Sequence, residues 1–195
     1  MHKILLYIGI IALHFLMVYL VHMTGSKFYN NRIYHNKTNP KVFDIGEKYL
    51  LDLHNIKWVR YLVDFIAALS PLIFGITVAL EHARFMIIIL AIRHIFTLVT
   101  ILPKHKKCDD SRFGIREVFV GHCYDKIFSG HFSSLFLLCL ILLKQGIVSI
   151  PLVTVVLFIY GSLLICIRYH YTVDILVAFV VTLLVFQNNW KLRLF

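Results

Sequence analysis

The chain has 195 residues, of which 59% are hydrophobic and only 15% charged, and its mean hydropathy is +0.80. An ordinary soluble domain carries about 25% charged residues, so this inventory excludes a soluble fold and intrinsic disorder, and four cysteines are too few for a small disulfide scaffold. A formal charge of +10 from 20 Lys and Arg against 10 Asp and Glu points, in such a chain, to anionic lipid rather than nucleic acid. The expected architecture is an all-α integral membrane protein, a bundle of six transmembrane helices forming one domain over residues 1–195.

A bilayer core of about 30 Å asks for about 20 apolar residues of helix. In chain order the spans fall at about 4–21, 58–80, 85–102, 127–143, 147–167 and 171–186. The first holds His14 and the second has Arg60 and Asp64 at its start. The third carries Arg93 and His94 near its middle. Lys144-Gln145-Gly146 separates the fourth from the fifth, where Gly gives the turn and Pro151 sits in the first helical turns, a place that tolerates Pro. The first run also has features of a signal peptide, Lys3 before an apolar core and Thr24, Gly25 and Ser26 after it, but it is longer than an ordinary h-region.

With six alternating spans, the polar segments 23–57 and 103–126 share one side with the turn 168–170, and both termini lie on the other. Twelve Lys and Arg fall in the two long segments against five on the opposite side, a count that favours a cytosolic location for the long segments. Asn36-Lys37-Thr38 in the same segment is a glycosylation sequon and favours the lumen. Cys108 and Cys123 share that side and can pair if it is lumenal, whereas Cys139 and Cys166 lie in spans and read as small core residues.

Ionisable groups in spans are costly and mark function by default. His14 reads as a neutral imidazole satisfied by a neighbouring helix, and Asp64 as a partner of Arg60 one turn away. Two other segments carry more. Cys123-Tyr124-Asp125-Lys126-Ile127-Phe128-Ser129-Gly130-His131 opens the fourth helix, and Arg168-Tyr169-His170-Tyr171-Thr172-Val173-Asp174 opens the sixth on the same face. Ser129 and Gly130 at a helix start offer free N–H groups to an anion such as phosphate. His170 and Asp174 share a helical face, so the carboxylate can hold one imidazole nitrogen and leave the other for chemistry. Arg168 adds a fork of donors suited to phosphate. Two histidines, a carboxylate and an arginine suit phosphoryl transfer through a histidine nucleophile. A zinc site competes on residue type, but Arg beside a metal is unfavourable and neither HExxH nor a Cys pair is present.

These residues resemble the sphingomyelin synthase family, within the larger type 2 phosphatidic acid phosphatase-like superfamily. The family's third motif, C-G-D-x3-S-G-H-T, meets Cys123, Asp125, Ser129, Gly130 and His131, with Tyr124 and Phe132 departing. Its fourth, H-Y-T-x-D-V-x2-A-Y, meets His170, Tyr171, Thr172, Asp174, Ile175, Ala178 and Phe179. Arg93, Thr97, Thr100, Leu102 and Pro103 fit the second motif loosely, and Phe43-Asp44-Ile45-Gly46 through Asp52 the first weakly. The resemblance implies transfer of a phospho-headgroup, phosphocholine first, from a glycerophospholipid to ceramide with release of diacylglycerol. It implies His170 as nucleophile, Asp174 as its orienting carboxylate and His131 as acid and base. Ser129, Gly130, Arg168, Asp125 and Tyr171 would line the phosphate, with no metal and no cofactor. It implies a multi-pass protein of the Golgi, endoplasmic reticulum or plasma membrane, its site lumenal or exoplasmic, with phospholipid and ceramide as partners and no nucleic acid. Arg168 stands where the animal enzymes hold His and looks like protozoan inositol phosphorylceramide synthases, so ethanolamine and inositol headgroups stay open beside choline. A lipid phosphate phosphatase, with water as acceptor, and a non-enzymatic multispan protein are the other readings.

Overall fold

The computed structural model describes residues 2–29, 42–103, 124 and 126–189. Among these residues all regular structure is helical, in seven helices: α1 (His2–Tyr29), α2 (Ile45–Tyr49), α3 (Lys57–Ile73), α4 (Ile76–Val99), α5 (Gly130–Lys144), α6 (Ile150–Cys166) and α7 (Thr172–Asn189). By length and composition one of them, α4, is long and apolar enough to cross a membrane. Helices α5, α6 and α7 are apolar but shorter. At about 1.5 Å per residue, 15 residues of α5 extend only about 22 Å. The sequon at Asn36 and the pair Cys108 and Cys123 lie outside the described residues, as does Asp125.

Two boundaries differ instructively from the apolar runs. The second and third spans were expected to part at the polar residues 81–84, but the chain turns at Gly75, whose φ is +99. Side chains avoid that backbone region, so glycine places the turn better than polarity does. Glu81, His82 and Arg84 consequently lie inside α4, and Glu81 accepts a hydrogen bond from Lys144 Nζ at 3.0 Å. The fourth helix starts at Gly130 rather than 127 because Ser129 caps it, its Oγ accepting from Phe132 N at 3.1 Å. Between α5 and α6 the expected turn at Gly146 forms, with Ile147 N donating to Leu142 O, and Pro151 sits in the first turn of α6.

The chain divides into two compact units. One comprises residues 1–43 and 92–127. There, Val21, Tyr124 and Ile101 pack together, and His14 Nδ1 lies 2.8 Å from His94 Nε2. The two imidazoles satisfy each other, which is the role expected for His14. Arg93 is buried in the same unit, and its carbonyl accepts from Thr97 Oγ1.

The other unit comprises residues 44–91 and 128–195. Helix α5 is its centre, buried from Phe132 through Cys139 with little exposed face, and it packs against α3, α6 and α7. A helix apolar all round belongs at the middle of a bundle. Phe136 stacks on Phe179 at 4.7 Å, and Phe85 meets Phe186 at 5.4 Å. Cys139 and Cys166 are buried free thiols, as expected. Polar ties fix the helices across this core: Tyr160 Oη donates to Val63 O at 3.0 Å, and Ser134 Oγ to Ala67 O at 2.6 Å.

Candidate active site

The starts of α5 and α7 meet in this second unit, because Ser129 N donates to Asp174 O at 3.2 Å. That one main-chain bond brings together the two motif segments, some 40 residues apart in sequence. The rings of His131 and His170 are 6.3 Å apart, tilted by 57°. His170 Nδ1 is 3.5 Å from Asp174 Oδ2, with both side chains nearly fully buried. The same carboxylate oxygen accepts from Tyr171 N at 2.9 Å, which fixes its orientation. Asp174 therefore faces one nitrogen of His170 and leaves Nε2 directed away from it.

His131 has a carboxylate of its own, one that the sequence reading did not assign. Its Nε2 lies 3.2 Å from Asp64 Oδ1. Tyr169 Oη donates to the other oxygen of Asp64 at 3.5 Å, and its ring lies 5.7 Å from that of His131. The expected partner of Asp64 was Arg60, but among the described residues no ion pair joins the two, and Arg60 Nε is buried without an acceptor. The signal was present as a carboxylate inside an apolar run; what the sequence lacked was a reason to prefer a partner 67 positions away. With Asp64 on Nε2, His131 keeps Nδ1 for a reacting proton.

The phosphate-binding expectations meet the geometry unevenly. At α5 the first amides, Gly130 N and His131 N, have no acceptor among the described residues, and buried Ser129, with Oγ accepting from Phe132 N, still has its hydroxyl proton to donate. At the start of α7, Tyr171 N is taken by Asp174 and Thr172 N by Asp44 at 2.8 Å. The α5 start, where the sequence placed the anion-binding amides, thus has two main-chain donors without an acceptor among the described residues. Arg168 is buried with φ of +62, in the left-handed region. Its Nη2 donates to Leu50 O at 3.3 Å, and its Nε lies 3.9 Å from Asp52 Oδ1. Nη1 is buried and has no acceptor among the described residues. A non-glycine residue held there costs of order 1–3 kcal/mol, and such strain collects at functional sites. Among the described residues no group of three or more His, Cys, Asp or Glu side chains is placed to hold a metal ion.

The arrangement is a pair of histidines, His170 buried and His131 partly so, each facing its own carboxylate, beside an arginine with one donor that has no acceptor among the described residues and an amide-lined helix start. It is equipped to hold a phosphoryl group between a nucleophile and an acid. The model of the PAP2 superfamily C-terminal domain matches residues 122–191, which include both motif segments. The match covers little more than a third of the chain and makes that part similar to a superfamily whose members are phosphatases and phosphotransferases acting on lipid phosphates. No curated protein and no solved structure matches the chain.

Proposed function

We propose that the chain is a membrane phosphotransferase of the sphingomyelin synthase type, moving a phospho-headgroup from a glycerophospholipid to ceramide through a phosphohistidine. The observation that carries this reading is the pairing of His170 with Asp174 across from His131 with Asp64. In the first step the lone pair of His170 Nε2 attacks phosphorus, and the bond from phosphorus to the diacylglycerol oxygen breaks. His131 gives its Nδ1 proton to that oxygen, so diacylglycerol leaves neutral. In the second step ceramide's primary hydroxyl returns a proton to His131 while its oxygen attacks phosphorus. The P–N bond breaks, and His170 is restored. Asp174 holds the His170 tautomer, and Asp64 does the same for His131. Charge growing on the phosphoryl oxygens meets Arg168 Nη1, the Gly130 and His131 amides and the Ser129 hydroxyl. Asp125 and Tyr171 complete the lining by the family resemblance.

A multi-pass arrangement accompanies the reading, with the site on the lumenal or exoplasmic side of the Golgi, endoplasmic reticulum or plasma membrane. Its support is the outward apolar face of α6, where Leu152, Val155, Phe158 and Ile159 are exposed. Contiguous apolar surface of that kind needs a covering, and lipid supplies one. Phosphocholine is the first headgroup to test, with phosphoethanolamine and phosphoinositol beside it.

The test is cell-free synthesis into liposomes containing ceramide and defined phospholipids, with products identified by mass spectrometry. A new phosphosphingolipid and diacylglycerol from the wild type, absent with His170→Ala, is the expected result. The superfamily match favours one second reading, a lipid phosphate phosphatase in which water takes the phosphoryl group. Free phosphate without a phosphosphingolipid would decide for it.

A further inference from the structure

We infer that the segment 44–54 is a splint for the turn that carries His170, and that Asp44 and Gly46 are positioning residues for that histidine. The inference rests on the reading of His170 as the nucleophile. The turn 166–172 is short, ends in a helix start and includes the left-handed Arg168; left alone, such a turn has many relaxed alternatives. The segment 44–54 grips it at both ends. At its beginning, Leu53 N donates to Cys166 O at 2.8 Å, His54 Nδ1 donates to Ile167 O at 3.1 Å, and Arg168 reaches Leu50 O and Asp52. At its end, Asp44 accepts from Thr172 twice, from N at 2.8 Å and from Oγ1 at 2.9 Å, while Gly46 N donates to the same Oγ1 at 3.1 Å.

Two features show that this grip depends on these residues. Asp44 Oδ1 also accepts from Glu47 N, capping α2, so one carboxylate ties the start of α2 to the start of α7. Gly46 approaches so closely that a Cβ there would lie 2.5 Å from Thr172 Oγ1 and 2.9 Å from Ile165 Cγ2. Glycine is demanded here by space, not by backbone angle. Displacing Thr172 moves Tyr171 and with it the Asp174 carboxylate that faces His170. A nucleophile misplaced by about 1 Å loses on the order of 10²-fold in rate.

The experiment uses the full chain in phosphatidylcholine vesicles containing ceramide, with activity and hydrogen–deuterium exchange measured on the same preparations. Gly46→Ala and Thr172→Val should lower kcat about 10²-fold with KM within about twofold, and should speed amide exchange in residues 168–173. Thr172→Ser keeps the hydroxyl and should keep both the rate and the protection, so loss of folding alone does not mimic the result. Asp44→Asn, which removes one acceptor, should fall between. Unchanged exchange in 168–173 in the alanine and valine variants would overturn the splint. Faster exchange with unchanged kcat, while His170→Ala is inactive, would overturn the positioning role. Full activity in His170→Ala would instead remove the nucleophile reading, and the positioning role with it.

Discussion

At the residue scale, the two braced histidines have different proposed duties and should fail differently. His170→Ala removes the proposed nucleophile; kcat should fall about 10⁴-fold or more, measured by product release in liposomes. Asp64→Asn leaves His131 in place but takes away the charge that faces its Nε2. A positioned acid or base contributes about 10²–10⁴-fold, so this variant should lose roughly 10²-fold in kcat with little change in KM. Unchanged kinetics for Asp64→Asn would return the residue to a purely structural role. That His131, His170 and Asp174 come together was legible, because they lie in two short segments whose spacing carries meaning. Asp64 was not, since a carboxylate one helical turn from Arg60 has an obvious local partner and the structure instead gives it a distant one. Nor could Asp44 be placed from its surroundings, because its main contact is 128 positions away.

At the element scale, helix ends rather than helix bodies separate expectation from structure. Apolar runs located the helices well, since hydropathy reports burial and burial is what the bodies share. They misplaced the second boundary because the turn there is made by a backbone angle that no hydropathy measure sees. Gly75→Ala should cost about 1–2 kcal/mol for the left-handed angle, seen as a lower unfolding midpoint in detergent with no loss of specific activity in the folded fraction. Ser129→Ala removes the α5 cap, at about 1 kcal/mol, and also a donor at the proposed phosphate site. It should therefore lower both the midpoint and the rate, and that contrast with Gly75→Ala is the check.

At the scale of the whole molecule, the composition of the chain led directly to helices and lipid, and the apolar exposure of α6 agrees with it. The number of spans was less legible: helix caps at Ser129 and Ser149 shorten the apolar runs from which it was counted. Orientation draws on charge, and here two signals oppose. Twelve Lys and Arg lie in the two long segments, yet the proposed chemistry faces the lumen. If the site is lumenal, the excess charge serves to concentrate anionic headgroups near it instead of marking the cytosol. The expected outcome is glycosylation of Asn36 on synthesis into microsomes, read as an endoglycosidase-sensitive mass shift; an Asn36 accessible only from the cytosolic face would reverse the orientation.

The left-handed angle of Arg168 sets a trap for protein engineering. Gly or Asn fits that backbone better than any arginine, so a screen that rewards heat resistance alone should drift toward them at position 168. If Arg168 meets the phosphoryl charge as proposed, clones recovered that way would fold robustly and yet be poor catalysts, the familiar trade between robustness and turnover. Sorting such a library for retained turnover as well as midpoint would keep arginine, and the difference between the two selections would measure how much stability the chemistry consumes at this single position.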